Sequence, residues 1–126
     1  MQFKQESLAP NINTIHAYAP GQLTINHTIY DHSVIITPDF FDSTSLPKTL
    51  AELNQDHVNL FLVQEPELIL LGVGQTLQFP HPSLFEKAMK AKIGVEIMDT
   101  PAACRTYMIL AGEGRRVIAG LLIGMV

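Results

Sequence analysis

The sequence predicts a single α/β domain, three-layer-like, whose mixed sheet joins an N-terminal antiparallel meander to a C-terminal βαβαβ unit. Three observations carry this. Leu68-Ile69-Leu70-Leu71 is a continuous apolar run ending in Gly72-Val73-Gly74, the pattern of a strand covered on both faces. After it, two helix-start signals, at Ser83 and at Thr100-Pro101, alternate with the β-prone stretches Val95 to Met98 and Val117 to Ile123. Before it, short runs rich in β-branched residues are separated by turn formers.

The length of 126 residues matches one ordinary domain, residues 1–126, with residues 1–10 expected as a flexible tail. Hydrophobic residues make up 47% and charged residues 16%, a globular composition on the apolar side, so a protein partner or a homodimer contact is expected. The formal charge of -4 argues against nucleic acid, whose binding rests on phosphate neutralisation by Lys and Arg. The basic residues concentrate in the C-terminal half, which holds all of them except Lys4 and Lys48. One cysteine, Cys104, permits no internal disulfide and suits a reducing compartment, so the cytoplasm is the expected location. Met1 to Pro10 has neither a secretory nor a mitochondrial targeting pattern, and Val117 to Val126 is too short to span a bilayer.

In order along the chain, Ile12 to Ala17 is a weak strand signal and Ala19-Pro20-Gly21 a turn. Leu23 to Ile25 and Thr28 to Tyr30 flank Asn26-His27 as a hairpin would, and Ser33 to Thr37 is a third strand of the meander, closed by Pro38. Asp39 to Pro47 reads as polar loop with Phe40 and Phe41 as anchors. Thr49 to Glu52 is a capping-box pattern, and Asp56 is a candidate cap for a second helix, although residues 57–63 fit a strand as well. Ser83 to Glu86 is a capping box after Pro80 and Pro82, and Gly94 ends that helix. The last helix starts at Thr100-Pro101, carries the stripe Ala103, Tyr107, Leu110 and Ala111, and stops at Gly112.

Four blocks in this half carry a resemblance: Leu70 to Gly74, Gly94 to Thr100, Ala102 to Tyr107 and Glu113 to Val117. In this order they resemble a family of small uncharacterised bacterial domains that also includes mitochondrial complex I assembly factor 3 and the adipogenesis-associated domain protein. The resemblance implies a compact α/β domain with helices against a mixed sheet. It also implies an assembly or interaction role, with a partner related to a respiratory complex, in place of a reaction. The chain departs from the family pattern at Val73, where Thr is usual, and at Met108, where Asn is usual. Both changes replace a polar group by an apolar one and favour a scaffold over an enzyme.

The chemistry-bearing residues point the same way. Gly72-Val73-Gly74 lacks the third glycine of a dinucleotide loop, since Leu77 occupies that position, and no helix starts until Ser83. Cys104 lies in the first turn of a helix beside Arg105, a setting that favours a thiolate, yet it has no resolving cysteine, and core packing is the simpler account. The five histidines do not cluster at metal-ligand spacing, so no metal and no cofactor is expected. Arg105, Arg115 and Arg116 suit an anion by chemistry, or else solvate a turn and pair with carboxylates. The expectation is therefore a non-enzymatic interaction domain. Its alternative is a small-molecule or anion-binding domain, with an enzyme included in that reading, built from Gly72, Gly74, Asp99, Thr100, Cys104, Arg105 and Thr106, where two predicted parallel strands end together.

Overall fold

Residues 11–124 are described by the computed structural model of the chain, so the tail expected over residues 1–10 lies outside the described residues. The first three strands, β1 (Ile15–Ala19), β2 (Gln22–Ile25) and β3 (Thr28–Tyr30), form an antiparallel three-stranded sheet. Asn26 (φ 50°) and His27 (φ 70°) are both left-handed, which is the backbone of a type I′ hairpin turn. Asn26 is anchored there: its Oδ1 accepts the Thr14 N–H at 2.9 Å and its Nδ2 donates to Asn13 Oδ1 at 2.9 Å.

The next strand leaves the meander. β4 (Val34–Thr37) is buried along its whole length and pairs antiparallel with β5 (Phe40–Asp42) on one side and β8 (Val117–Leu121) on the other. A four-residue strand apolar on both faces needs cover on both, and the half-exposed small sheet cannot supply it. Phe40 and Phe41 thus belong to an edge strand in the segment read as loop. The larger sheet has the order β5-β4-β8-β6-β7, with β6 (Leu68–Gly72) parallel to both β7 (Gly94–Met98) and β8. The last strand is therefore the central one of the five.

Of residues 57–63, all but Val63, the C-cap, resolve as helix. α1 (Gln55–Leu62) is capped by Asn54 and not by Asp56: Asn54 Oδ1 accepts the N–H groups of Asp56 (3.0 Å) and His57 (3.2 Å), and His57 Nδ1 accepts the Asn54 N–H in return at 3.0 Å. This reciprocal cap satisfies donors that the first turn leaves open. The Thr49 to Glu52 pattern opens only a 3₁₀ turn, Leu50–Glu52, with Thr49 Oγ1 donating to Glu52 Oε1. Likewise the Ser83 box is not formed. A 3₁₀ turn, Pro82–Phe85, precedes α2 (Glu86–Lys90), and the His81 ring accepts the Ser83 N–H. Proline at 82 makes that turn start earlier than the Ser83 pattern suggests. α3 (Thr100–Gly112) is capped by Asp99, which accepts the Ala102 N–H at 2.8 Å, and it runs through Gly112 to Gly114, whose φ of 78° makes the left-handed stop.

Alternate residues of the parallel strands face opposite layers. Leu70, Ala119 and Leu121 pack with Ala103 and Tyr107 of α3, and the far side of α3 receives Ile15, Leu23 and Ile25 of the small sheet. Ile69, Leu71 and Ile118 face the other way, onto Val58 and Phe61 of α1 and Ala88 of α2. Each fully buried Leu, Ile or Phe contributes about 1.5–3 kcal/mol relative to exposure. The stripe on α3 thus serves two sheets. Met108 belongs to it, and its Sδ accepts the Ile15 N–H at 3.3 Å where the bulge in β1 begins.

Candidate functional site

At the C-terminal ends of β6 and β7 the sheet meets the start of α3. The structure brings Gly72, Gly74 and Thr100 into direct contact there, with Asp99 capping from the same turn. The Thr100 N–H donates to Gly74 O at 2.8 Å, the Gly74 N–H donates to Thr100 Oγ1 at 2.9 Å, and Thr100 Oγ1 donates to Leu122 O at 2.6 Å. Gly72 is required by space. A Cβ on it would lie 2.9 Å from Thr100 Cα and 3.1 Å from Ala103 Cβ. Gly74, at φ 107°, is required by its backbone as well. Thr100 is fully buried, so its hydroxyl, with its proton given and a lone pair filled, joins three chain segments.

The remaining candidates of that cluster diverge. Cys104 is fully buried, and burial pushes its thiol up to about 12 against a smaller opposing pull from the Arg105 charge. Desolvation outweighs the helix-terminus and cation effects that favour a thiolate. Arg105 is exposed and Thr106 half-buried on the next faces of α3. Arg105 does not join Arg115 and Arg116: ten residues of helix and cap separate them, about 15 Å at the α-helical rise.

Arg115 and Arg116 lie at the opposite end of the sheet. Arg115 Nε donates to Glu67 Oε1 at 3.4 Å, the Arg116 N–H donates to the same oxygen at 2.9 Å, and Arg116 Nε donates to Glu65 O at 3.2 Å. The Arg116 N–H above all holds the Glu67 carboxyl below its ordinary range; desolvation opposes it, and the Arg115 charge adds a smaller downward pull. These arginines border a cleft of about 520 Å³ lined also by Ile12, Pro38, Asp39, Pro66 and Val117. Sequence reasoning missed this cleft, because four separated stretches form it; the Arg115-Arg116 pair was its one visible sign.

A third feature is apolar and exposed. Between β6 and the 3₁₀ turn at Pro82, Leu77 is 50% and Phe79 71% exposed. Phe79 and Pro80 border a groove of about 560 Å³ lined also by Leu50, Leu53 and Leu84 and by the polar Gln55, Gln78, His81 and Ser83. Among the described residues, no group of three or more His, Cys, Asp or Glu side chains is placed to hold a metal ion.

A family model for a protein of unknown function, DUF498/DUF598, matches residues 15–122, which include the meander, the glycine turn and α3. The chain belongs to the DUF498/DUF598 family. It is 28% identical over 101 residues to the 13 kDa major membrane protein of Francisella tularensis subsp. holarctica, covering 79% of this chain and 82% of that protein. It is 29% identical over 111 residues to NADH dehydrogenase (ubiquinone) 1 alpha subcomplex assembly factor 3 of Danio rerio, covering 86% of this chain but 63% of that protein. The chain thus spans less than two thirds of the assembly factor's length. Among solved structures, a Bordetella parapertussis protein superposes with a TM-score of 0.84 at 31% identity, covering 92% of this chain and 99% of that one. A Mth938-like domain of Bordetella pertussis gives 0.81 at 26% identity, covering 98% and 92%. The mixed α/β architecture is therefore that of the family. Among the described residues no helix is long and apolar enough to cross a membrane.

Proposed function

We propose that this DUF498/DUF598 domain is a non-enzymatic interaction module that acts in the cytoplasm as an assembly factor for a respiratory complex, docking through the loop that carries Leu77 and Phe79. The observation that carries this reading is the exposure of Leu77 and Phe79, with Phe79 on the border of a groove of mixed polar and apolar lining, since a large aromatic left in water next to a recess fits a partner's surface. The kinship with assembly factor 3 of Danio rerio supports the class of partner. The rival anion site at Gly72, Gly74 and Thr100 is disfavoured because the buried hydroxyl and amide at its centre are spent on internal bonds.

The experiment is affinity capture of the tagged chain from native lysate after mild crosslinking, beside a Leu77→Ser/Phe79→Ser variant. Exposed positions tolerate such changes within about 0.5 kcal/mol, so the variant remains folded. Respiratory-complex subunits are expected with the wild type and not with the variant at equal melting temperature. Equal capture by both proteins, or no such subunits with either, contradicts the proposal.

A further inference from the structure

The cleft at the starts of β6 and β8 lies at the other end of the sheet from the Phe79 loop, and the partner surface proposed above makes no use of it. Its volume of about 520 Å³ falls within the range of small-molecule sites, roughly 300–1,000 Å³. Ile12, Pro66, Ala111 and Val117 give it apolar walls. Among the described residues its charged lining is two guanidinium groups, Arg115 and Arg116, and one carboxylate, Asp39, and the Glu67 carboxylate paired with Arg115 beside it brings these four groups to zero net charge. Arg115 and Arg116 each engage the protein through Nε, to Glu67 Oε1 and Glu65 O, so their Nη amino groups are the donors left for a ligand. The Glu67 and Glu65 contacts also hold both guanidinium groups at the cleft without filling it. A guanidinium pair in an apolar recess suits a planar carboxylate, and with Asp39 and Glu67 already offsetting the two arginines a monoanion meets less repulsion there than a dianion.

We infer that this cleft is a binding site for a small monocarboxylate with an apolar body, its carboxylate held by Arg115 and Arg116 and its body against Ile12, Pro66 and Val117. The source of the carboxylate is a free organic acid or the carboxyl terminus of a peptide, which share this chemistry.

The test is an amide-shift titration of the ¹⁵N-labelled full chain with hexanoate, hexanamide, inorganic phosphate and acetyl-Ala-Leu. Hexanoate or the peptide is expected to shift residues 37–39, 64–67 and 114–117, with hexanamide binding about tenfold or more weaker, the worth of one lost charge-assisted hydrogen bond. Arg115→Gln/Arg116→Gln is expected to weaken binding by a similar factor. Asn11→Trp, which obstructs the exposed wall and leaves both arginines in place, is expected to do the same. Tighter binding of hexanoate assigns the site to free acids, and tighter binding of the peptide assigns it to chain termini. Hexanamide equal to hexanoate, phosphate tighter than both carboxylates, shifts centred on residues 72–74 and 100–106, no binding, or wild-type affinity in both variants overturns the inference. None of these results bears on capture through Leu77 and Phe79, so the two proposals fail independently.

Discussion

Replacing Thr100 by Val removes the hydroxyl at the junction of β6, α3 and the segment after β8 while keeping the side chain's shape. Two backbone groups then lose their partner, the Gly74 N–H and the Leu122 carbonyl, in a position fully sealed from water. An orphaned buried polar group costs about 1–3 kcal/mol, so the pair costs about 2–4 kcal/mol after local relaxation. For a domain of this size that lowers the melting temperature by roughly 8–15 °C. Thr100→Ser keeps the hydroxyl and loses one methyl, at about 1 kcal/mol. Urea unfolding followed by far-UV circular dichroism measures both, and hydrogen exchange at the Gly74 amide reports the junction directly. Val within about 0.5 kcal/mol of wild type, or Ser less stable than Val, would refute the claim that the hydroxyl holds these segments together.

Three further outcomes follow from the same geometry. Gly72→Ala places a methyl against Thr100 Cα and Ala103 Cβ, two groups with little room to move, and is expected to cost about 1–3 kcal/mol in the same unfolding assay. Cys104, with its thiol pushed up to about 12 inside the core, is expected to react with iodoacetamide at pH 8 at least about a hundredfold more slowly in native buffer than in denaturant, by mass spectrometry. Burial raises the phenol groups of Tyr18 and Tyr107 as well as the Cys104 thiol, so above about pH 9 the unfolded chain releases protons that the folded chain keeps. The stability these groups contribute is complete below their unfolded values and is lost as pH rises. Chemical denaturation at pH 8 and pH 10.5 is expected to show a lower free energy at the higher pH, and a smaller drop for Tyr107→Phe.

The local pattern of the chain determined its C-terminal half. Four consecutive apolar residues at Leu68 to Leu71 can be satisfied only by cover on both faces, and Thr100-Pro101 with Asp99 before it supplies its own helix start, so βαβαβ was legible without a structure. The Asn26-His27 hairpin was legible for the same reason, since the turn residues and the flanking strands lie within ten positions. The meeting of Gly72 and Gly74 with Thr100 followed from two parallel strands ending together. That Thr100 would be sealed did not follow, because its third partner, Leu122, comes from a segment 22 residues away. Tertiary structure decided the departure of β4 from the meander to pair with β8, a choice between two partners that the strand's own residues leave equal and that burial on both faces settles. It also decided the cap at Asn54, where competition with Asp56 turns on the reciprocal bond to His57. The cleft at Arg115 and Arg116 is the extreme case. Its walls come from residues 11–12, 37–39, 64–66 and 111–117, and no local window of sequence contains the distances that bring them together.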